Sequence, residues 1–276
     1  MVAGRAERLA ARHSRRGRRR SAARRIAHAA HVAASRRTLS SWRLLLLFAA
    51  QPSGDHLRSC REGESRRLLS LDYRLAPEHR FPAALDDSIA AYRRLLADGV
   101  AAESIVMAGD SAGGGLALAT LLALRDAGDP FPAAAVLFSP WTDLTCSGES
   151  MRTNEGRDPM YHASVFPRVA AQYLGDAVAT HPYASPLFGN FEGLPPLLIQ
   201  VGDTELLLDD STRVAAKTRS AGVRVELEIW RNVPHIFQVW APFMPEANRA
   251  LARAADFIVA ATSSQEPHRP PMTSMV

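Results

Sequence analysis

Downstream of Arg66 the chain alternates short apolar runs with amphipathic stretches; upstream it shows no such order. Arg67-Leu68-Leu69-Ser70-Leu71-Asp72-Tyr73 predicts a strand, followed by a Pro-punctuated loop through Pro82. From Ala83 to Asp98 the spacing of Ile89, Tyr92, Leu95 and Leu96 places them on one face of a helix, which Gly99 ends. Ile105-Val106-Met107 is a run suited to a buried strand, and a helix rich in leucine and alanine follows to Gly128. Strands are predicted over Ala133–Phe138, Pro196–Gly202 and Val223–Trp230. Helices are predicted from about Leu208 to Ser220 and from Pro245 to Ala261. Between 144 and 195 the pattern loosens and only Val165–Leu174 reads as a helix. A connection that long covers something. The expectation is an α/β domain over 68–262, with a mostly parallel sheet flanked by helices and a cap segment at about 144–195. Residues 263–276 form a polar, Pro-rich tail expected to be disordered.

Charge divides the chain at the same place. Its net charge of +5 averages two unlike parts: 17 arginines against four acidic residues up to Arg67, then 16 basic against 24 acidic residues. Residues 1–67 therefore read as a basic, disordered or aberrant arm, with Arg15-Arg16-Gly17-Arg18-Arg19-Arg20 a self-repelling block. Such an arm can serve phosphate binding, a transit peptide or a twin-arginine export signal. A solvated arm with no role of its own is the simpler reading. Nucleic acid is not the expected partner, because no Phe, Trp or Tyr interleaves the arginines from Arg5 to Arg37 to stack on bases. No apolar run approaches the ~18 residues of a membrane span. Two cysteines, Cys60 and Cys146, make no disulfide framework, which suits a reducing compartment and a cytoplasmic location. They have no metal-ligand spacing, and the pattern calls for neither metal nor cofactor. The sequence sets no oligomeric state.

The chemistry concentrates in Gly109-Asp110-Ser111-Ala112-Gly113, set between a strand and a helix. A serine raised on a tight strand-to-helix turn needs small neighbours two residues away, and the helix N-terminus supplies unpaired N–H groups beside it. A hydroxyl also needs a base to become a nucleophile near neutral pH. His235 follows the last predicted strand and stands downstream of a cluster of acids, giving the order serine, acid, histidine. Asp203, Glu205, Asp209 and Asp210 all lie close to the end of the preceding strand. One of them suffices to orient the imidazole; the others suit the start of a helix. Each of these residues follows a strand, so all are expected along one edge of the sheet.

Gly109-Asp110-Ser111-Ala112-Gly113-Gly114, Asp72-Tyr73-Arg74-Leu75-Ala76-Pro77-Glu78-His79 and Pro234-His235-Ile236-Phe237 together resemble the hormone-sensitive-lipase-like branch of the α/β-hydrolases. This branch contains bacterial carboxylesterases and lipolytic enzymes. The resemblance covers about Leu68 to Ala261. It implies Ser111 as nucleophile, His235 as base and the Ala112 N–H as one oxyanion donor. It places the acid about thirty residues before the histidine, just past the strand-end glycine, which lands on Glu205, with Asp203 and Asp209 as fallbacks. Many members carry Asp at that position. The implied substrate is a short-chain acyl ester.

The branch also carries a His-Gly-Gly-Gly loop whose N–H groups bind the oxyanion. No such loop occurs here upstream of Asp72, and of the early strands only 43–48 reads as a remnant. The simultaneous loss of pattern, glycine loop and acidic residues before Arg66 points to a reading-frame error or displaced start; the rival is a true variant with another donor. A degenerate hydrolase, inactive or binding a small molecule, is the competing functional expectation.

Overall fold

The computed structural model describes residues 44–49, 66–241 and 243–263. Among the described residues six strands form one sheet: β1 (Leu44–Ala49), β2 (Arg66–Ser70), β3 (Ile105–Asp110), β4 (Ala134–Phe138), β5 (Leu197–Gly202) and β6 (Val225–Trp230). Their order across the sheet is β2-β1-β3-β4-β5-β6. From β3 to β6 all neighbours are parallel. β1 runs antiparallel to both β2 and β3, with Leu46 opposite Leu69 on one side and Met107 on the other. Leu44–Ala49 and Arg66-Arg67, on the N-terminal side of the boundary expected at 67/68, belong to the sheet. A short strand inside an arginine-rich stretch lacks its own turn signals, and pairing on both edges is what defines it. The arginine block, Cys60, the missing glycine loop and the tail from 264 all lie outside the described residues.

The helices are α1 (Ala83–Ala97), α2 (Ala112–Ala127), α3 (Ser150–Thr153), α4 (Val165–Leu174), α5 (Leu208–Ser220) and α6 (Pro245–Ser263). Alternation along the strands sorts the core into two layers. Ile105, Met107, Leu137 and Ile199 pack with Leu95, Leu118, Leu121 and Val214 of α1, α2 and α5. Val106, Val136 and Leu198 face the other way, against Ala247, Leu251, Ala254 and Ile258 of α6. α2 is buried along most of its length, so it reads as apolar all round rather than striped.

A third cluster joins Trp141, Leu144, Met151, Phe166, Ala170, Leu206 and Leu207. It is the underside of the expected cap, seated where β4 and β5 end. The segment 144–195, expected to act as a cap, contains α3 besides the predicted α4. A four-residue helix carries no periodicity to read, and α3 is held from outside: the Ser150 N–H donates to Asp209 Oδ2 at 2.9 Å and the Ser150 hydroxyl to the Leu206 carbonyl at 2.6 Å.

Candidate active site

Ser111 stands between β3 and α2 with φ 52° and ψ −120°, a region that L-residues rarely enter and that costs energy to hold. The strain is fixed by neighbours on both sides. The Ser111 N–H donates to the Phe138 carbonyl at 2.8 Å, and the Trp141 N–H donates to the Ser111 carbonyl at 2.9 Å. A Cβ on Gly109 would lie 2.2 Å from the Gly113 carbonyl oxygen, and one on Gly115 only 2.0 Å from that of Trp141. Glycine is thus a steric requirement at both positions. Ala112 opens α2, so its N–H belongs to the first turn, whose amides have no intrahelical acceptor.

The acid facing His235 is Glu205. Its Oε2 lies 2.7 Å from His235 Nδ1, and both side chains are buried. A carboxylate only accepts, so Nδ1 carries the proton and Nε2 is the basic nitrogen of the neutral ring. Oε1 of Glu205 accepts from the Ser139 hydroxyl at 2.8 Å and the Gly202 N–H at 2.5 Å. The alternatives are spent elsewhere. Asp203 Oδ1 accepts the Asn232 N–H at 2.8 Å, bracing the turn after β6. Asp209 joins α5 to the cap through Ser150. Asp210 accepts the Thr142 and Asp143 N–H groups at 2.6 and 2.9 Å. Burial pushes the Asp210 carboxyl up to about 7 against the opposing Thr142 N–H and Arg213 charge.

Four residues that sequence reasoning missed complete the surroundings. Ser139, at φ 47°, gives its hydroxyl to Glu205 and accepts the Ile236 N–H at 3.3 Å. Asn154 Nδ2 donates to the Glu205 carbonyl at 2.8 Å, and Asp158 Oδ2 accepts the Leu206 N–H at 3.0 Å. Tyr161 sets its ring edge-to-face on His235, with centroids 5.4 Å apart. Only Ser139 had a legible signal, its place at the end of a strand. The cap residues lie in a stretch without periodicity.

Ser111, Ala112 and Tyr161 line a cavity of about 420 Å³, walled mainly by apolar side chains of α2, α4 and the segment after β2. The volume falls in the range of small-molecule sites. Among the described residues no group of three or more His, Cys, Asp or Glu is placed to hold a metal ion. None of their helices is long and apolar enough to cross a membrane.

A strained serine at a strand-to-helix turn, with a buried acid–histidine pair carried by the ends of the following parallel strands, is the arrangement of one fold family. A family model described as alpha/beta hydrolase fold matches residues 26–239. The chain belongs to that family. Within the alpha/beta hydrolases its resemblance to the hormone-sensitive-lipase-like branch holds at the level of solved structures. An esterase from the bacterial hormone-sensitive lipase family is 47% identical, with a TM-score of 0.70, over 71% of this chain and 66% of that one. An esterase/lipase from an uncultured bacterium is 48% identical, with a TM-score of 0.69, over 72% and 67%. An acetyl-hydrolase of Streptomyces hygroscopicus is 46% identical over 195 residues, 71% of this hydrolase chain and 65% of the relative. An esterase of Acinetobacter venetianus is 38% identical over 192 residues, 69% of this chain and 63% of its own length. The chain thus matches a little under two thirds of these two curated relatives.

Proposed function

We propose that this alpha/beta hydrolase is a serine carboxylesterase acting on acyl esters, short-chain ones included. The observation that carries the reading is the buried Glu205–His235 pair at 2.7 Å, joined through Ser139 to the strand end whose Phe138 carbonyl holds the strained Ser111 turn. In this reading Ser111 Oγ attacks the ester carbonyl carbon while His235 Nε2 takes its proton. The carbonyl electron pair moves onto oxygen, where the Ala112 N–H and the positive end of α2 stabilise it. The electron pair returns, the C–O bond to the alcohol breaks, and the imidazolium protonates the departing alkoxide. Water then attacks the acyl-Ser111 ester by the same route, releasing the acid. Glu205 keeps Nδ1 protonated and offsets the imidazolium charge. A small ester is the partner and no cofactor takes part. A reducing cytoplasm suits the cysteine usage.

The sequence before Asp72 favours a second reading. With no His-Gly-Gly-Gly segment before Asp72, the oxyanion donor that this loop supplies in the branch has no counterpart in the sequence there, and losing one donor costs about 10²–10³ in turnover. A degenerate hydrolase that binds without turnover is the extreme case. A fluorophosphonate probe separates the two: an active site labels in the parent and not in Ser111→Ala, whereas a dead one labels in neither. The reading-frame explanation for the region before Arg66 is tested by translating the other two frames of the coding DNA; absence of a glycine-loop segment there removes it.

A further inference from the structure

The cavity at Ser111 has a direction, and one of its walls is built mostly from small residues of α2. Ala112, Gly115, Leu116 and Ala119 of α2 all face it, and their spacing puts them on one helix face. The opposite wall is a face of α4, including Val165, Val169 and Tyr173. Contacts orient the two helices. At the start of α4, Phe166 packs edge-to-face on Trp141 with centroids 5.1 Å apart, and the Trp141 N–H is bonded to the Ser111 carbonyl. At its end, the Tyr173 carbonyl accepts the Phe81 N–H at 2.8 Å, next to the start of α1. The first turns of α1 reach α2 at Thr120, whose hydroxyl lies 2.7 Å from that of Ser88. Both helices therefore lead away from Ser111, and the end of α4, the start of α1 and the middle of α2 come together at the foot of the slot, whose lining includes Ala84, Ala119 and Tyr173.

Resting on the reading of Ser111 as an acylated nucleophile, we propose that Ala119, with Ala84 beside it, sets the acyl-chain length the site accepts. From Ser111 to Ala119 the helix rises by about 12 Å at 1.5 Å per residue. An extended chain advances roughly 1.2 Å per bond, judged from ~3.5 Å per three-bond residue, so the slot takes about ten bonds. Acyl groups of medium length, about eight to ten carbons, reach the foot. Ala84 and Ala119 are the reason: both are buried, and any longer side chain there projects into the space the terminal methylenes use. Each buried methylene contributes a factor of about four in kcat/KM, from ~0.8 kcal/mol.

The test uses the full chain and p-nitrophenyl esters from acetate to decanoate. The parent is expected to gain in kcat/KM with chain length up to about eight to ten carbons. Ala119→Leu fills the last positions and is expected to lower kcat/KM for the octanoate and decanoate by roughly sixty-fold relative to acetate. If that variant does not fold, Val169→Phe on the half-exposed cap wall narrows the same slot and is expected to shift the profile the same way. Parental ratios in a folded Ala119→Leu protein, or in Val169→Phe where it replaces it, overturn the proposal while leaving the esterase reading intact. A parent with no Ser111-dependent hydrolysis of any ester overturns both.

Discussion

Removing the Ser139 hydroxyl tests how much the acid depends on its own support. That hydroxyl donates to Glu205 Oε1 at 2.8 Å and accepts the N–H of Ile236, the residue after His235. One group thus braces both the carboxylate and the backbone beside His235. A hydrogen bond to a buried charged group is worth about 1.5–3 kcal/mol. In the proposed mechanism Glu205 matters most when the imidazolium forms, so the loss is expected to fall on the transition state. At about 1.4 kcal/mol per decade, Ser139→Ala is expected to lower kcat by roughly ten- to a hundred-fold. KM should hold within about three-fold, since the Ser139 side chain is not a wall of the cavity. The backbone at φ 47° supplies a control. Ser139→Gly loses the same hydroxyl but relieves the left-handed strain, so it should be as slow as the alanine variant yet more stable by about 0.5–1 kcal/mol. Steady-state kinetics on p-nitrophenyl acetate and thermal melts give both quantities. Parental kcat in Ser139→Gly would falsify the assignment of the hydroxyl to the acid.

Other consequences are as direct. Glu205→Gln keeps the shape but not the charge facing His235, and kcat is expected to fall by about 10³–10⁴ with KM little changed; a loss under ten-fold would shift the acid role elsewhere. Gly115→Ala places a Cβ against the Trp141 carbonyl and is expected to destabilise by about 1–3 kcal/mol; an unchanged melting temperature contradicts the packing at the turn. Asp210 makes stability depend on pH. Its carboxyl is raised from 3.8 to about 7, so between those values the native chain holds a proton that the unfolded chain has released. Its contribution therefore falls as pH rises through that window, by up to about 4 kcal/mol. Asp210→Asn should gain stability on the parent between pH 5 and 8; equal pH slopes in denaturant titrations of the two proteins would refute this.

The local chemistry of the chain was enough to locate β3, the turn at Ser111 and α2, because an apolar run, two glycines and a leucine-rich helix lie within twenty residues and each constrains the next. His235 was legible for a similar reason, standing just past a strand and downstream of acids. Val165–Leu174 came out as read because its apolar face is long enough to show a period. Four acids crowded after β5 are a different matter. Sequence spacing by itself left them open, and the resemblance favoured Glu205. Tertiary contacts separate them: Asp203 turns to Asn232, Asp209 to Ser150, Asp210 to Thr142 and Asp143, and Glu205 alone of the four bonds His235. The placement of β1 between β2 and β3, the brace at Ser139 and the slot ending at Ala119 were also decided only in three dimensions. The physical reason is one of range. Strand, turn and helix preferences act over a few residues and leave a mark in the string, whereas a hydrogen bond between Ser139 and Glu205, 66 positions apart, or a wall shared by α2 and α4, exists only after the sheet has brought its strand ends together.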